Sequence, residues 1–159
     1  MRQSNAMRQV VIFFATGIYS GYVPKAPGTA GSVVGLLLGW GVFSSLWRRS
    51  PAAFVILFVV MFLLACWIAG KAETIFGRHD SPHIVIDEVL GMLAAMFMNP
   101  TGWPFLLGSF LLFRFFDILK PFPASVIDRR VRGGFGVMLD DVAAGIYANI
   151  VLQVLRRVI

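Results

Sequence analysis

The chain has 159 residues, of which 58% are apolar and only 14% are charged, and its mean hydropathy is +0.79. A soluble domain has about 45–50% apolar and about 25% charged residues, so the composition excludes a soluble globular protein and a disordered chain. The net charge of +6 comes without a basic run interleaved with aromatic residues, which argues against nucleic-acid binding, and the single cysteine excludes a disulfide scaffold. We therefore expect one domain embedded in lipid.

The first residues of the chain carry a short duplication. Met1-Arg2-Gln3 recurs as Met7-Arg8-Gln9, and the three residues between them read like a cloning scar. We interpret residues 1–6 as a tail left by cloning and residues 7–159 as a single membrane-embedded domain. Residues 10–23 are apolar but too short to cross a bilayer, so we interpret them as an interfacial or re-entrant segment.

Five apolar stretches then predict transmembrane helices: residues 29–46, 52–70, 84–98, 103–119 and 142–157. An α-helix rises about 1.5 Å per residue, so crossing about 30 Å of hydrocarbon takes about 20 residues. The two shortest stretches, 84–98 and 142–157, must recruit flanking residues or end in a cavity lined by protein. The predicted fold is all-α: a polytopic helical membrane protein with about five transmembrane helices.

Alternating these helices across the membrane places every acidic residue on one face. The same face receives eight basic residues and the opposite face four, and the positive-inside rule then makes the acidic face cytoplasmic. The eight acids are Glu73, Asp80, Asp87, Glu88, Asp117, Asp128, Asp140 and Asp141.

Two adjacent carboxylates, Asp87 and Glu88, open the stretch 84–98. Acids in a first helical turn complement the helix dipole, but two of them beside an apolar span are costly without a partner. Neighbouring carboxylate oxygens are typical ligands of Mg²⁺, so we favour a metal site. His79 and His83, four residues apart, leave a zinc pair open, but the acids outnumber the histidines eight to two and favour Mg²⁺.

Three charged residues follow at helical spacing. Arg114, Asp117 and Lys120 lie three apart and are predicted to share one helix face, which Pro121 ends. They form either an ion-pair ladder or a site in which the two cations hold a phosphate beside a metal.

The last charged segment is rich in glycine. Gly133 and Gly134 let backbone N–H groups approach an anion, and Asp140-Asp141 follow where one aspartate would suffice as a helix cap. A Walker phosphate loop is absent. Thr29 lies at the start of the first span. Its spacing is equally consistent with close helix packing and with contact to a phosphate or lipid headgroup.

Taken together, these strings closely resemble one family, phosphatidylglycerophosphatase A, over roughly residues 10–155. The motifs that carry the resemblance are Pro27-Gly28-Thr29-x-Gly31-Ser32; His79-Asp80 with Ile84-Val85-x-Asp87-Glu88-x-x-Gly91; Phe113-Arg114-x-x-Asp117-x-x-Lys120-Pro121-x-Pro123; and Asp128-Arg129 with Gly133-Gly134-x-Gly136-x-Met138-x-Asp140-Asp141-x-x-Ala144-Gly145.

The resemblance implies Mg²⁺-dependent removal of the terminal phosphate from phosphatidylglycerol phosphate, on the cytoplasmic side of the bacterial inner membrane. It implies a phospholipid substrate in the bilayer, no nucleic acid and no obligatory protein partner, and it leaves a homo-oligomer open. The chemistry of the residues agrees, because phosphoryl transfer needs mainly positioning and charge neutralisation. Either a water or an aspartate is the nucleophile.

We assign roles on this basis. The predicted catalytic residues are Asp80, Asp87, Glu88, Asp117, Asp140 and Asp141, and all of these except Asp80 are predicted to bind metal. The predicted phosphate-binding residues are Thr29, Arg114, Lys120, Arg129, Gly133 and Gly134.

Other functions have weaker support. A CDP-alcohol phosphatidyltransferase-like enzyme would need an Asp-Gly motif, which is absent. A small cation transporter would carry acids at mid-span or an internal repeat, whereas these acids cluster at one face. A structural or assembly subunit, whose charges serve only topology, is the third alternative.

Overall fold

The computed structural model describes residues 5–79, 81–122 and 134–158, and every regular element in these ranges is helical. A 3₁₀ turn, Ser20–Tyr22, precedes the helix Pro27–Leu38, and a π-helical turn, Gly39–Phe43, joins that helix to the helix Ser44–Arg49. The all-α prediction is therefore confirmed for the described residues. The α-helices are α1 (Asn5–Ala15), α2 (Pro27–Leu38), α3 (Ser44–Arg49), α4 (Pro51–Phe76), α5 (Ile86–Met96), α6 (Trp103–Leu119) and α7 (Gly134–Val158).

Local sequence explains where several helices begin and end. A proline occupies the first or second position of α2, α4 and α6, where its missing N–H costs no hydrogen bond. The side chain of Ser50 caps α4 by accepting a hydrogen bond from the Ala53 N–H at 3.3 Å. Gly77 ends α4 in the left-handed conformation, with φ of 66°.

In the part of the chain that the structure describes, three helical segments are long and apolar enough to cross a membrane: Pro27–Arg49, Pro51–Phe76 and Gly134–Val158. Within the described ranges α6 has 17 residues, with the predicted bounds, and α5 only 11. An 11-residue helix is about 16 Å long, about half the hydrocarbon thickness. The predicted count of about five spans is thus not confirmed, whereas helices long and apolar enough to span a membrane are present.

The N-terminal segment packs along α4. Val11 and Ala15 of α1 are buried against Ala69 and Ala72, and the Ala15 carbonyl accepts a hydrogen bond from the Val85 N–H at 2.9 Å. α1 has 11 residues, so it too falls short of a span. Its placement in or on the membrane surface stays a prediction.

The short helix α5 lies at the centre of the bundle, in contact with α2, α4, α6 and α7. Most of its side chains are buried, as expected of a helix that other helices surround. Gly31 and Gly35 of α2 face Val85 and Val89, and a Cβ at either glycine would come within 3.0 Å of their atoms. This packing sets the first turn of α5, with its two acids, beside the first turn of α2.

Candidate active site

Three carboxylates meet between α5 and α7. Asp87 and Glu88 come from the first turn of α5 and Asp141 from α7, and one oxygen of each lies within 4.8 Å of the others. We call these three residues the carboxylate cluster. Asp87 and Asp141 are 8% and 5% exposed. Each of the three has one buried oxygen, Asp87 Oδ1, Glu88 Oε2 and Asp141 Oδ2, that accepts no hydrogen bond within the part of the chain described.

The cluster forms because α5 and α7 run side by side in the same direction. Gly91 and Gly145 follow Asp87 and Asp141 by four residues each, one helical turn, and a Cβ at Gly145 would overlap the Gly91 carbonyl oxygen. One further turn along, Asn149 Nδ2 donates to the carbonyl oxygens of Ala95 and Phe97, at 3.1 and 2.7 Å. Close backbone contact at the glycines thus brings the acids together.

The donor set of the carboxylate cluster fits a hard divalent cation. An octahedral Mg²⁺ with oxygens at about 2.1 Å separates neighbouring ligands by about 3 Å and opposite ones by about 4.2 Å, which is compatible with the observed spacing. Buried carboxylate oxygens without donors need such a countercharge. The histidines have other partners: His79 Nδ1 lies 2.5 Å from Glu73 Oε1, and His83 Nδ1 lies 2.9 Å from the Gly21 carbonyl oxygen.

Arg114 reaches the cluster from α6. Its Nη1 donates to Asp117 Oδ2 at 2.6 Å and to Ser32 Oγ at 3.5 Å. A Cβ at Gly28 would overlap Glu88 Oε1 and lie 3.3 Å from Arg114 Nη1, so the first turn of α2 contacts both side chains. Asp117 also lies close enough to Asp141 for the two carboxylates to interact electrostatically. Asp117 therefore links the guanidinium to the carboxylate cluster.

A cavity of about 300 Å³ opens beside these groups and is lined largely by charged and polar residues. We call it the polar cavity. Its walls combine two acids of the cluster with two cations, Arg114 and Lys25, and with Thr29. This volume is at the lower end of the range for small-molecule sites, so the cavity has room for more than a metal ion. The remaining lining residues are Ala26, Pro27, Gly28, Ser81, Pro82 and Ile84.

A buried acidic cluster beside an arginine in a small polar cavity suits an enzyme that acts on phosphate esters. The family model of phosphatidylglycerophosphatase A matches residues 13–156. The chain belongs to the phosphatidylglycerophosphatase A family. It is accordingly a phosphatase of lipid metabolism.

Curated relatives of this family member come from several bacteria. A phosphatidylglycerophosphatase A of Haemophilus influenzae is 39% identical, covering 96% of this chain and 95% of its own length. The Escherichia coli phosphatidylglycerophosphatase A is 35% identical over 83% of this chain and 75% of its own length. A Bacteroides thetaiotaomicron protein described as a putative phosphatidylinositol-3-phosphatase is 36% identical over 93% of this chain and 94% of its own length. No solved structure matches the chain.

Within this phosphatidylglycerophosphatase A family member, two predicted metal ligands, Asp117 and Asp140, lie outside the carboxylate cluster. Asp140 Oδ2 accepts a hydrogen bond from Lys120 Nζ at 2.6 Å, and Asp140 is not among the three residues whose oxygens converge. The prediction that Arg114, Asp117 and Lys120 share one helix face is wrong for Lys120. The reason is that α6 ends there, with Lys120 in the left-handed conformation at φ 44°, and its side chain reaches α7 instead.

The predicted glycine-rich loop before Asp140 is helical from Gly134 onwards. α7 begins eight residues before the predicted 142, and a Cβ at Gly134 would overlap the Cys66 carbonyl oxygen of α4. Gly134 lies seven residues, about 10 Å, before Asp141 and packs against α4. Asp140 and Asp141 therefore lie inside the helix, and the alternative in which one of them caps its start is excluded. Asp80, Arg129 and Gly133 lie outside the described residues.

Sequence reasoning missed several residues that build the site. Ser32 is fully buried, donates to the Gly28 carbonyl oxygen at 2.8 Å and accepts from Arg114. Lys25 belongs to none of the predicted site motifs and is one of the eight basic residues on the predicted cytoplasmic face. A signal for the helix pairing was present, because an acid precedes a glycine by four residues at both Asp87–Gly91 and Asp141–Gly145.

Proposed function

We propose that this protein hydrolyses the phosphate monoester of phosphatidylglycerol phosphate to phosphatidylglycerol and inorganic phosphate, with Mg²⁺ at the carboxylate cluster. The observation that carries the proposal is the set of three buried carboxylate oxygens without donors, beside Arg114 in the polar cavity. The family and the Haemophilus and Escherichia relatives support the reaction and the substrate. The same relationship disfavours a phosphatidyltransferase or a transporter.

Asp87, Glu88 and Asp141 are the residues that would hold the ion. A bound Mg²⁺ supplies positive charge to the phosphoryl oxygens and lowers the pKa of a coordinated water. The three carboxylates fix that charge at the inner end of the polar cavity. Their close spacing is unfavourable while all three are ionised, and a bound cation would relieve that repulsion.

Arg114 would bind the phosphoryl group. Asp117 and Ser32 hold its Nη1, which orients the planar guanidinium and leaves other N–H donors for phosphate oxygens. Negative charge in the transition state of phosphoryl transfer spreads over these oxygens, so a preoriented cation accelerates the reaction. The hydroxyl of Thr29, on the wall of the same cavity, would donate to one of them.

We further propose that the protein is a multi-pass protein of the bacterial inner membrane with the polar cavity on the cytoplasmic side. The greater number of basic residues at the charged end of the bundle supports this orientation. In a Cys66→Ala background, Arg78→Cys would label with an impermeant maleimide in inverted vesicles, and Arg49→Cys in right-side-out vesicles. The reverse pattern would contradict the orientation.

The activity is tested by inorganic phosphate release from phosphatidylglycerol phosphate in mixed micelles, using the purified protein with Mg²⁺ and with a chelator. We expect release only with Mg²⁺. Phosphatidylinositol 3-phosphate belongs in the same assay, because the name of the Bacteroides relative offers it as the competing substrate. Faster hydrolysis of the inositol lipid would replace the proposed substrate, and no release from either lipid by folded protein would overturn the proposal.

A further inference from the structure

We propose that Lys25 is a specificity-determining residue that binds the phosphodiester group of the lipid substrate while the carboxylate cluster and Arg114 take the monoester. This inference rests on the proposed function. Phosphatidylglycerol phosphate carries two phosphate groups separated by a three-carbon glycerol: the terminal monoester that is removed and the diester that remains. A site that binds both phosphate groups needs two separate cationic side chains.

The two cations that line the polar cavity differ in their exposure to solvent. Arg114 has a side chain only 21% exposed and is bound to Asp117 next to the carboxylate cluster. Lys25 lines the same cavity but is solvent-exposed, on the segment that leads into α2. Its ammonium group pairs with no acid in the described ranges of the chain. The arrangement offers one charge beside the reacting group and a second at the rim.

The backbone around Lys25 is held in an unusual conformation. Lys25 has φ of 70°, a left-handed value that costs a non-glycine residue free energy and is found mainly where surrounding structure enforces it. Pro24 and Pro27 restrict the backbone on either side. Such a segment presents its side chain at the rim with little loss of backbone entropy on binding.

The segment before Lys25 is anchored to the loop that leads into α5. The Gly21 carbonyl oxygen lies 2.9 Å from His83 Nδ1, and the rings of Tyr22 and His83 are 4.9 Å apart. A Cβ at Gly21 would overlap the His83 carbonyl oxygen, so the two segments are in backbone contact. The rim that carries Lys25 is therefore fixed relative to the turn from which Asp87 and Glu88 begin.

Lysine suits a phosphodiester at this position. A diester has a single negative charge and two free oxygens, and an ammonium group binds it as a point charge without the bidentate geometry of arginine. A monoester held at the carboxylate cluster leaves the diester nearer the mouth of the cavity, since the diacylglycerol must remain in the bilayer. The exposed rim is the part of the cavity that the diester can reach.

The test compares two lipid substrates that differ in the diester. Phosphatidic acid has a phosphate monoester and no diester. The variants are Lys25→Gly, which removes the charge but tolerates the left-handed backbone, and Lys25→Arg, which keeps the charge. Arg78 is an exposed cation between α4 and α5, and Arg78→Ala is therefore the matched control for general attraction to anionic micelles.

We expect Lys25→Gly to lower kcat/KM for phosphatidylglycerol phosphate about tenfold, the effect of one charged hydrogen bond, and to change hydrolysis of phosphatidic acid less than about twofold. Lys25→Arg should restore most of the loss, and Arg78→Ala should affect both lipids equally. Product inhibition gives a second readout: Lys25→Gly should weaken inhibition by phosphatidylglycerol about tenfold and leave inhibition by inorganic phosphate unchanged.

An equal loss on both lipids, or no loss on phosphatidylglycerol phosphate, would overturn the role of Lys25. Unchanged inhibition by phosphatidylglycerol would do the same, even if phosphatidic acid is a poor substrate. A wild-type protein that releases no phosphate from phosphatidylglycerol phosphate would instead overturn the proposed function. The two failures are therefore distinct.

Discussion

Gly91 and Gly145 are in direct backbone contact, one on the short central helix and the other on the last helix. Each glycine lies one turn after an acid of the carboxylate cluster, so the contact sets how closely Asp87 and Asp141 approach. A side chain at either position would separate the helices. Two glycines without chemistry of their own thus determine the geometry of the candidate metal site.

Replacing Gly145 by alanine should damage both the fold and the site. The added Cβ overlaps backbone that cannot move aside without shifting α5, and such overpacking costs typically about 1–3 kcal/mol. We expect a lower thermal midpoint and at least a tenfold loss of phosphatase activity. Gly70→Ala is the matched control, because a Cβ there meets nothing within 4 Å and alanine favours the helix. Equal behaviour of the two variants would refute the packing role.

Asp141→Asn should reduce turnover at least about 100-fold, as the loss of a major electrostatic element does. Asparagine keeps the shape of the side chain but removes the charge that would hold Mg²⁺. Turnover is measured by phosphate release at saturating lipid, with Glu73→Gln as the control acid outside the cluster. Near-normal turnover by folded Asp141→Asn protein would remove Asp141 from the assignment.

Mg²⁺ should stabilise the folded protein in the absence of substrate. An ion that binds only the folded state at 100 times its dissociation constant adds about 2.7 kcal/mol to the free energy of unfolding. The expected result is a higher midpoint of thermal unfolding in detergent with Mg²⁺, reversed by a chelator and abolished in Asp87→Asn. A shift of the same size in Asp87→Asn would place the ion elsewhere.

Arg114→Lys should lower kcat/KM about 100-fold while leaving the Mg²⁺-induced stabilisation in place. Lysine keeps the charge, but it lacks the planar fork that can contact Asp117, Ser32 and a phosphate at once. Arg48→Lys, at the opposite end of the bundle beside Thr101, is the matched control. If both variants kept full activity, Arg114 would have no part in phosphate binding.

Lys120 should prove to be a structural partner of Asp140 more than a phosphate ligand. Removing the ammonium group in Lys120→Met leaves the Asp140 carboxylate buried without that partner, which is unfavourable. We therefore expect a lower thermal midpoint that Asp140→Asn partly restores in the double variant. A loss of activity at unchanged stability, without restoration, would instead support the sequence-based assignment of Lys120 to phosphate binding.

Composition and hydropathy were sufficient to predict an all-α membrane protein, because a soluble fold of this size could not bury so many apolar side chains. The bounds of α6 and the position of Asp87-Glu88 at the start of a helix were also readable from local sequence. The helical start of α7 was not, because glycines at Gly134 and Gly136 weaken helix propensity and only packing against α4 overrides it. The length of α5 was missed because hydropathy does not reveal that the chain turns at Phe97 and Met98.

The sequence by itself determined which groups are available for catalysis: acids, arginines and lysines in motifs that resemble one family. Only the tertiary structure decided which acids converge, since Asp140 and Asp141 are neighbours in sequence yet about 100° apart around a helix. That rotation sends Asp141 to the carboxylate cluster and Asp140 to Lys120. Contacts between residues more than 50 positions apart, at Gly91 and Gly145, fix the choice. No local pattern encodes them, because they depend on how whole helices pack.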